Sequence, residues 1–361
     1  MLIYFYRNLI KGRCILKNVS LKNIRKDIVS GIIVALVSIP ISMGYAQIAG
    51  LPAVYGLYCS ILPVLIYGLV TSSPQFVFGV DATPAALVGG TLATLGIVSG
   101  SEEAKAVVPS ITLVAALWLL LFFFIKAGRI VNYISTPVMG GFISGIGVTI
   151  ILMQAAKLFG GNAGTGEAIK LLMHIAGEMK SFNLLSAVLG VGTVIIILIA
   201  KKFIPKFPMS VLLMVLGALA TAIFHIDRCG VKLLPHVDKG LPGFSLPDMS
   251  VVFKNPSEII LLGLSVAGVV MAQTLLATNN YANKYGYKVS NNREILSYAA
   301  ANAASAVIGG CPLNGSVSRT GIADQFGCKS QVMSITASLT MLLIVLFGTP
   351  VLEYLPVPIL T

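Results

Sequence analysis

The sequence predicts an all-α polytopic membrane protein, and three observations support this prediction. Hydrophobic residues make up 56% of the 361 residues and charged residues only 11%, which is more apolar surface than one soluble core of this length can bury. Several apolar runs approach or exceed the ~18 residues that are needed to cross a bilayer. Lys and Arg lie mainly in the short loops between those runs, as is typical of charges that set membrane topology.

The N-terminal segment, residues 1–27, holds seven Lys or Arg residues and lacks the cleavage site of a signal peptide. We expect this segment to be cytoplasmic and partly interfacial. The apolar runs that follow predict spanning helices at 28–49, 53–70, 106–126, 133–158, 184–202, 208–225, 257–279, 292–308 and 331–348, with a further helix starting near 350. Short helices are predicted at 82–99 and 316–327.

Loop charges predict the orientation of these helices. If the N-terminus is cytoplasmic, the cytoplasmic loops collect Lys126, Arg129, Lys201, Lys202, Lys206, Lys284, Lys288, Arg293 and Lys329. The opposite loops are mixed or acidic, and segment 166–179 has helical apolar spacing but is too polar to span, so we expect it to lie on the outer surface. The pattern therefore predicts a multi-pass protein of the plasma (inner) membrane, with the lipid bilayer as its solvent.

Several functional classes find no support in the sequence. The net charge of +12 is spread over short loops rather than gathered on one soluble face, so we expect no nucleic-acid partner. His225, Cys229 and His236 share a loop but have no fourth ligand at a suitable spacing, so we predict no metal site. No catalytic or nucleotide-binding motif is present, so neither an enzyme nor a cofactor is predicted.

Two apolar segments are interrupted in a similar way. "FVFGVDATPAALVGG" in the first half and "AVIGGCPLNGSVSRTG" in the second each pass from apolar residues into Gly, polar residues, and then a stretch compatible with a helix. Such a pair indicates an inverted-repeat transporter whose two broken half-helices meet at a site in mid-membrane. The alternative is a pair of ordinary re-entrant kinks that assist packing.

Arg319 lies in the second interrupted segment, where a charge at the bilayer centre costs at least about 2.5–3.5 kcal/mol. It is at the start of a short helix, whose free N–H groups and dipole favour an anion. The sequence therefore predicts an anion site at Arg319 and the N–H groups of residues 316–318 and 81–83. Two alternatives remain open: Arg319 could snorkel to the interface, or it could pair with Asp81, for which we favour the role of helix N-cap.

These segments resemble the SulP (sulfate permease) family of anion transporters over about residues 25–360. "DIVSGIIVALVSIPISMGYAQIAGLPAVYGLYCSILPVLIYGLVTSSPQFVFGVDATPAAL" is similar to the family's first three helices, "GGFISGIGVTIILMQAAKLFG" to its fifth, and "NNREILSYAAANAASAVIGGCPLNGSVSRTG" to its ninth and tenth. The resemblance implies two inverted seven-helix repeats, the first over 28–225 and a partial second over 257–361, joined by an external loop at 226–256. The last two helices and the usual cytoplasmic STAS domain would then be absent, and the C-terminal end of the second repeat missing.

The resemblance also implies the site residues. In relatives an anion lies between the N-termini of the third and tenth helices, with contributions from the first and eighth. In this sequence the matching positions are Gly79, Val80, Asp81, Ala82 and Thr83, then Gly315, Ser316, Val317, Ser318 and Arg319, and also Pro40, Ser42, Tyr45 and Gln273.

The expected function is secondary transport of sulfate or a similar small inorganic anion by alternating access. Gln273 stands where many relatives have a carboxylate that couples transport to protons or sodium, so coupling by that route is not expected. Two alternatives stay open: a nucleobase or other neutral-solute carrier of the same fold, and a membrane scaffold that does not transport. Relatives commonly dimerise, so a homodimer is also open.

Overall fold

The computed structural model describes residues 21–129, 136–162, 164, 168–204, 207, 209–234, 240, 243–244, 246–254, 256–348 and 353–360. Most of the N-terminal segment 1–27 and His236 of the loop 226–256 lie outside the described residues. The first helix begins at Leu21, before the predicted start at 28. The first turns of this helix are polar and basic, so a prediction from apolar spacing alone placed its start too late.

The described chain is helical apart from two short strands. The helices are α1 (Leu21–Ile48), α2 (Val54–Cys59), α3 (Leu62–Val70), α4 (Ala82–Thr94), α5 (Glu102–Phe124), α6 (Thr136–Leu158), α7 (Ala168–Glu178), α8 (Leu184–Phe203), α9 (Met209–Phe224), α10 (Met249–Lys254), α11 (Pro256–Tyr285), α12 (Asn291–Val307), α13 (Val317–Gln325), α14 (Val332–Leu343) and α15 (Val357–Leu360). A π-helical turn, Ile344–Gly348, continues α14. The strands are β1 (Phe78–Val80) and β2 (Leu313–Gly315).

The lengths and composition of the helices are those of a membrane protein. In the part of the chain that the structure describes, three helices are long and apolar enough to cross a bilayer, within Asn23–Ile48, Glu102–Phe124 and Pro256–Tyr285. Shorter apolar helices cover Val54–Val70, Leu184–Ala200, Leu212–Phe224 and Val332–Gly348. Many of their large apolar side chains are exposed, as is expected of a surface that faces lipid rather than water.

The predicted helix at 53–70 is broken into α2 and α3. The break is at Ser60 and Ile61, between the end of α2 and a proline in the first turn of α3. A proline lacks the N–H that would continue the hydrogen-bond ladder, so it favours a new helix start at that point. The apolar run is continuous across the break, which is why hydropathy alone predicted one helix.

β1 and β2 form an antiparallel pair that the sequence did not predict. Phe78 faces Gly315, and Val80 faces Leu313. Each strand leads into a half-helix, α4 after β1 and α13 after β2. The two strands run in opposite directions, so their last residues lie at opposite ends of the pair. The pair is only three residues long, so these ends are about two residues, or ~7 Å, apart. The two helix N-termini are therefore held close together.

The core surrounds this pair of strands. Apolar residues of α4, α5, α11 and α12 form the largest buried cluster, in which the rings of Phe78 and Tyr298 stack with centroids 5.3 Å apart. On the other side, α1 packs along α14 and contacts α13. The half-helices are therefore embedded in helices from both halves of the chain.

The loop before β1 is held by the buried carboxylate of Glu294, at the start of α12. Its Oε1 accepts hydrogen bonds from the backbone N–H of Ser72 at 2.6 Å and of Ser73 at 3.0 Å, and the Thr71 hydroxyl donates at 2.9 Å. The Glu294 side chain is completely buried. Its hydrogen bonds fix the chain that enters β1 to a helix of the second half.

Candidate functional site

The guanidinium of Arg319 lies against the end of β1. Its Nη2 atom donates to the carbonyl oxygen of Val80 at 2.7 Å, and Nη1 lies 3.5 Å from the Ser38 hydroxyl on α1. Arg319 is only 2% exposed, which excludes the alternative that it snorkels to an interface. Nε is buried and has no hydrogen-bond partner in the described chain. The cation is thus fixed in the protein interior with part of its donor capacity unused.

Gly79 makes the approach of Arg319 to β1 possible. A Cβ atom at this position would lie 2.9 Å from Nη1 of Arg319, closer than carbon and nitrogen atoms normally approach. The glycine therefore leaves the volume that the guanidinium fills.

Asp81 is the acidic group nearest to Arg319, with 3.9 Å between Oδ1 and Nη2. It occupies the N-cap position of α4, but its side chain makes no capping hydrogen bond. The favoured N-cap interpretation is therefore wrong as to the side chain, which faces Arg319 and Asn314 instead. The distance between Asp81 Oδ2 and Asn314 Nδ2 is 3.4 Å. A carboxylate held at this distance balances the cation without occupying its donors, so an incoming anion can compete with it.

Asn314, which sequence analysis did not single out, connects the predicted Gln273 of α11 to the strands. Its Nδ2 donates to Oε1 of Gln273 at 2.8 Å, and its Oδ1 accepts from the Thr274 hydroxyl at 2.6 Å. All three side chains are buried. A polar residue inside the apolar run before Gly315 was the signal that could have identified Asn314.

The backbone donors of the second half-helix are only partly free. The N–H of Ser316 donates to Val77 at 2.9 Å, and that of Gly315 donates to the Thr274 hydroxyl at 3.0 Å. These two amides therefore hold the fold, and the predicted set at 316–318 is reduced to Val317 and Ser318. These two residues are exposed and belong to the first turn of α13, where N–H groups have no acceptor within the helix.

The donor set predicted for the first half-helix, residues 81–83, ends directly before a proline. Ala82 and Thr83 begin α4, and Pro84, the next residue, has no N–H. Thr83 is buried and Ala82 is partly exposed. The N–H groups of Ala82, Thr83, Val317 and Ser318 thus belong to the first turns of the two half-helices, and that of Ala82 also interacts with the Asp81 carboxylate.

The three predicted residues of α1 have different positions, and Pro40 lines a separate cavity with Met43 and Gly44. Tyr45 lies close enough to Asp81 and Arg319 to interact with both electrostatically. The Ser42 hydroxyl instead donates to the carbonyl oxygen of Ser38, 2.6 Å away in the same helix. Ser42 is therefore not brought into the site, whereas Ser38, one turn earlier, contacts Arg319.

The hydroxyls of Ser316 and Ser318 lie 3.3 Å apart at the start of α13. Ser318 is exposed, and Ser316 is only 2% exposed. The exposed Ser318 hydroxyl can therefore donate a hydrogen bond to a small anion, while the buried Arg319 attracts the anion through its charge. Among the described residues no cluster of His, Cys, Asp and Glu could hold a metal ion.

Comparisons with known proteins identify the family of the chain and its fold. The model of the sulfate permease family matches residues 24–361. The chain is 26% identical over 335 residues to the probable sulfate transporter Rv1739c of Mycobacterium tuberculosis, covering 92% of this chain and 59% of that protein. It is 28% identical over 367 residues to low affinity sulfate transporter 3 of Stylosanthes hamata, covering 96% of this chain and 56% of that one. The chain thus spans less than two thirds of the length of these relatives.

Solved structures show the same fold. The structure of SLC26A9 matches 99% of this chain and 60% of its own, with a TM-score of 0.87 at 22% identity. The transmembrane domain of the cyanobacterial bicarbonate transporter BicA matches 95% of this chain and 87% of its own, with a TM-score of 0.81 at 18% identity. At these identities the likeness concerns the fold, which is that of helical membrane transporters.

Proposed function

This chain belongs to the sulfate permease family, and we propose that it carries a small inorganic anion, sulfate or one of similar charge and size, across a membrane by alternating access. The observation that carries the proposal is the buried Arg319 between two half-helix N-termini. Family membership and the apolar helices make the chain a multi-pass membrane protein. Our proposal places it in the plasma membrane with a cytoplasmic N-terminus and includes no enzymatic step, cofactor or metal.

In this proposal the anion binds between α4 and α13. Arg319 supplies the charge, and the N–H groups of Ala82, Thr83, Val317 and Ser318 supply hydrogen bonds. A helix N-terminus favours negative charge through its dipole as well as its free donors, and Arg319 adds a full positive charge that is screened little at 2% exposure. Asp81 pairs with the guanidinium when the site is empty, and the anion replaces Asp81 as the counter-charge of Arg319 when it binds.

A neutral-solute carrier of the same fold would need other groups at the site. In the described chain Gln273 is bound to Asn314, and the only full charges close to the half-helix N-termini are Arg319 and Asp81. Uracil binding is therefore not expected, but it belongs in the test. The names of the relatives support sulfate as the first anion to examine.

The test is a thermal-shift series in detergent with sulfate, bicarbonate, chloride, fumarate and uracil at matched ionic strength. A ligand that binds only the folded state raises its stability by RT ln(1 + [L]/Kd). We expect a shift with a small anion that is lost in Arg319→Gln and kept in Arg25→Gln, which removes an exposed charge. Equal sulfate or bicarbonate shifts in both variants would refute the site, a shift with uracil alone would favour the nucleobase carrier, and no shift with any solute would favour a scaffold.

A further inference from the structure

A second buried cation lies on the other side of α1. Lys157, near the end of α6, is 8% exposed, and its Nζ donates to Oε1 of Gln47 at 2.8 Å. Both residues line a small cavity between α1 and α6, which Leu234 and Val357 close on the side of the second half. We propose that this cavity binds one monatomic anion of the chloride class, at a site separate from that of Arg319.

Among the residues that the structure describes around the cavity, no acidic group balances the charge of Lys157. None of the residues that line the cavity is acidic, and the hydrogen-bond acceptor of Nζ, the Gln47 amide oxygen, is neutral. A buried ammonium without a counter-charge is costly, and proteins normally pair such a group. An anion in the cavity provides the missing negative charge.

A second hydrogen-bond donor faces the same space. Gln154 lies one helical turn before Lys157, and a Cβ atom placed on Gly44 would be 3.8 Å from its Nε2. The amide nitrogen of Gln154 is thus directed toward the volume that Gly44 leaves open. The donors of the cavity are thus an ammonium and an amide N–H₂ group, between apolar walls from Met43, Leu234 and Val357, and an anion can accept from both. The amide oxygen of Gln154 is buried without a hydrogen-bond partner in the described chain.

The size of the cavity selects among anions. Its volume of about 20 Å³ exceeds the ~10–15 Å³ that a single water molecule requires. A chloride ion is only slightly larger than water, whereas a tetrahedral sulfate has five heavy atoms. The space of the cavity therefore suits a monatomic ion better than the larger oxyanions proposed for the Arg319 site.

The two cations are on different sides of one helix. Ser38 contacts Arg319, whereas Gly44 and Gln47 line the cavity. Because each residue of an α-helix advances ~100°, Ser38 lies roughly half a turn around α1 from this pair. A ligand of Lys157 is therefore separated from Arg319 by the body of α1. Its binding can be measured without reference to the transported anion.

The test is chloride titration of the 361-residue chain in detergent, with gluconate replacing chloride at constant ionic strength and thermal unfolding as the readout. We expect the unfolding midpoint to rise with chloride and bromide, and Lys157→Gln to weaken the apparent affinity at least about tenfold. Lys170→Gln, which removes an exposed charge on α7, is the matched control and keeps the full response. Arg319→Gln also keeps it.

Gly44→Ala provides a second variant that is expected to fold, because its methyl group meets only Gln154 at ordinary contact distance. The methyl group occupies part of the cavity, so we expect weaker chloride binding with Lys157 intact. A chloride response that is unchanged in both Lys157→Gln and Gly44→Ala would overturn the proposal, since water alone would then fill the cavity. A response lost in Arg319→Gln but kept in Lys157→Gln would overturn it too, by placing the chloride at the half-helices.

Discussion

Nη2 of Arg319 is hydrogen-bonded to the carbonyl oxygen of Val80 at 2.7 Å, which fastens the second half-helix to the strand that precedes the first. A backbone carbonyl neutralises no charge, so the guanidinium keeps its attraction for anions while its position is fixed. Asp81 is the nearest acidic group, with 3.9 Å between its Oδ1 and Nη2 of Arg319, and it directly follows β1. The relationship between Arg319 and Val80 therefore makes the site sensitive to small changes in β1.

Gly79→Ala tests whether the position of Arg319 matters. The new methyl group would meet Nη1 at 2.9 Å, so the guanidinium must move away from Val80, and we expect anion affinity to fall about tenfold. The measurement is the anion-dependent thermal shift. Gly90→Ala in α4 is the control, because a Cβ atom there meets nothing within 4 Å. Equal anion affinity in the two variants would contradict the proposed role of the guanidinium.

Asp81→Asn tests the competition between this carboxylate and the substrate. Removal of the negative charge 3.9 Å from Arg319 should strengthen anion binding about fivefold or more, a typical coupling between neighbouring sites. Asp227→Asn, at an exposed position outside the site, should have no effect on the dissociation constant. Weaker binding in Asp81→Asn would show that Asp81 assists the anion rather than competes with it.

Glu294→Gln tests the support of β1. The buried carboxylate accepts from the N–H groups of Ser72 and Ser73 and from the Thr71 hydroxyl, and hydrogen bonds to a charged group contribute about 1.5–3 kcal/mol. We expect a lower unfolding midpoint and weaker anion binding. Glu258→Gln, at an exposed position of α11, is the control. A variant as stable as the control would mean that Glu294 does not hold the loop.

Gln273→Glu tests the expectation that the neutral amide on α11 leaves anion binding uncoupled from protons. The new carboxyl group would lie beside Asn314, which also approaches Asp81. It is neutral when protonated and adds a negative charge near the anion when it loses its proton, so anion binding should weaken as pH rises. The measurement is anion affinity against pH, with exposed Gln325→Glu as the control. A flat profile in Gln273→Glu would remove our account of this position.

Glu178 gives a pH prediction outside the membrane-spanning helices. The backbone N–H of Asn162 donates to its Oε2 at 2.8 Å, and this hydrogen bond, with smaller contributions from His174 and Lys232, lowers the pKa of Glu178. The stabilisation is present above the ordinary pKa of Glu, about 4.3, and is lost as pH falls through the lowered value.

We therefore expect the protection factor of the Asn162 amide, which is its exchange rate corrected for the intrinsic pH dependence of amide exchange, to fall on acidification. Glu178→Gln should show a low protection factor at every pH, while Glu103→Gln, an exposed control at the start of α5, should keep the wild-type profile. A pH-independent protection factor in the wild-type protein would contradict the assignment.

Most helices were predicted from the sequence because apolar runs of membrane length have few alternative structures. The two strands were not, since three residues carry too little pattern to indicate a strand. Phe78 and Gly315 are more than two hundred residues apart in the chain, and their pairing is stable only because surrounding helices bury it. The same is true of the break between α2 and α3, where local proline chemistry interrupts a continuous apolar run.

The sequence by itself determined that a cation lies among apolar residues at the start of a short helix, because the cost of Arg319 in a membrane demands an explanation. Only the tertiary structure decided which groups Arg319 contacts and that Asp81 faces it. It also decided that the N–H of Ser316 donates to the carbonyl oxygen of Val77 and is not available to an anion. It also decided that Lys157 turns inward, although a lysine near a helix end commonly snorkels outward. The composition shows that buried charges must be compensated in an apolar protein. The groups that compensate them come from distant parts of the chain and are brought together only by packing.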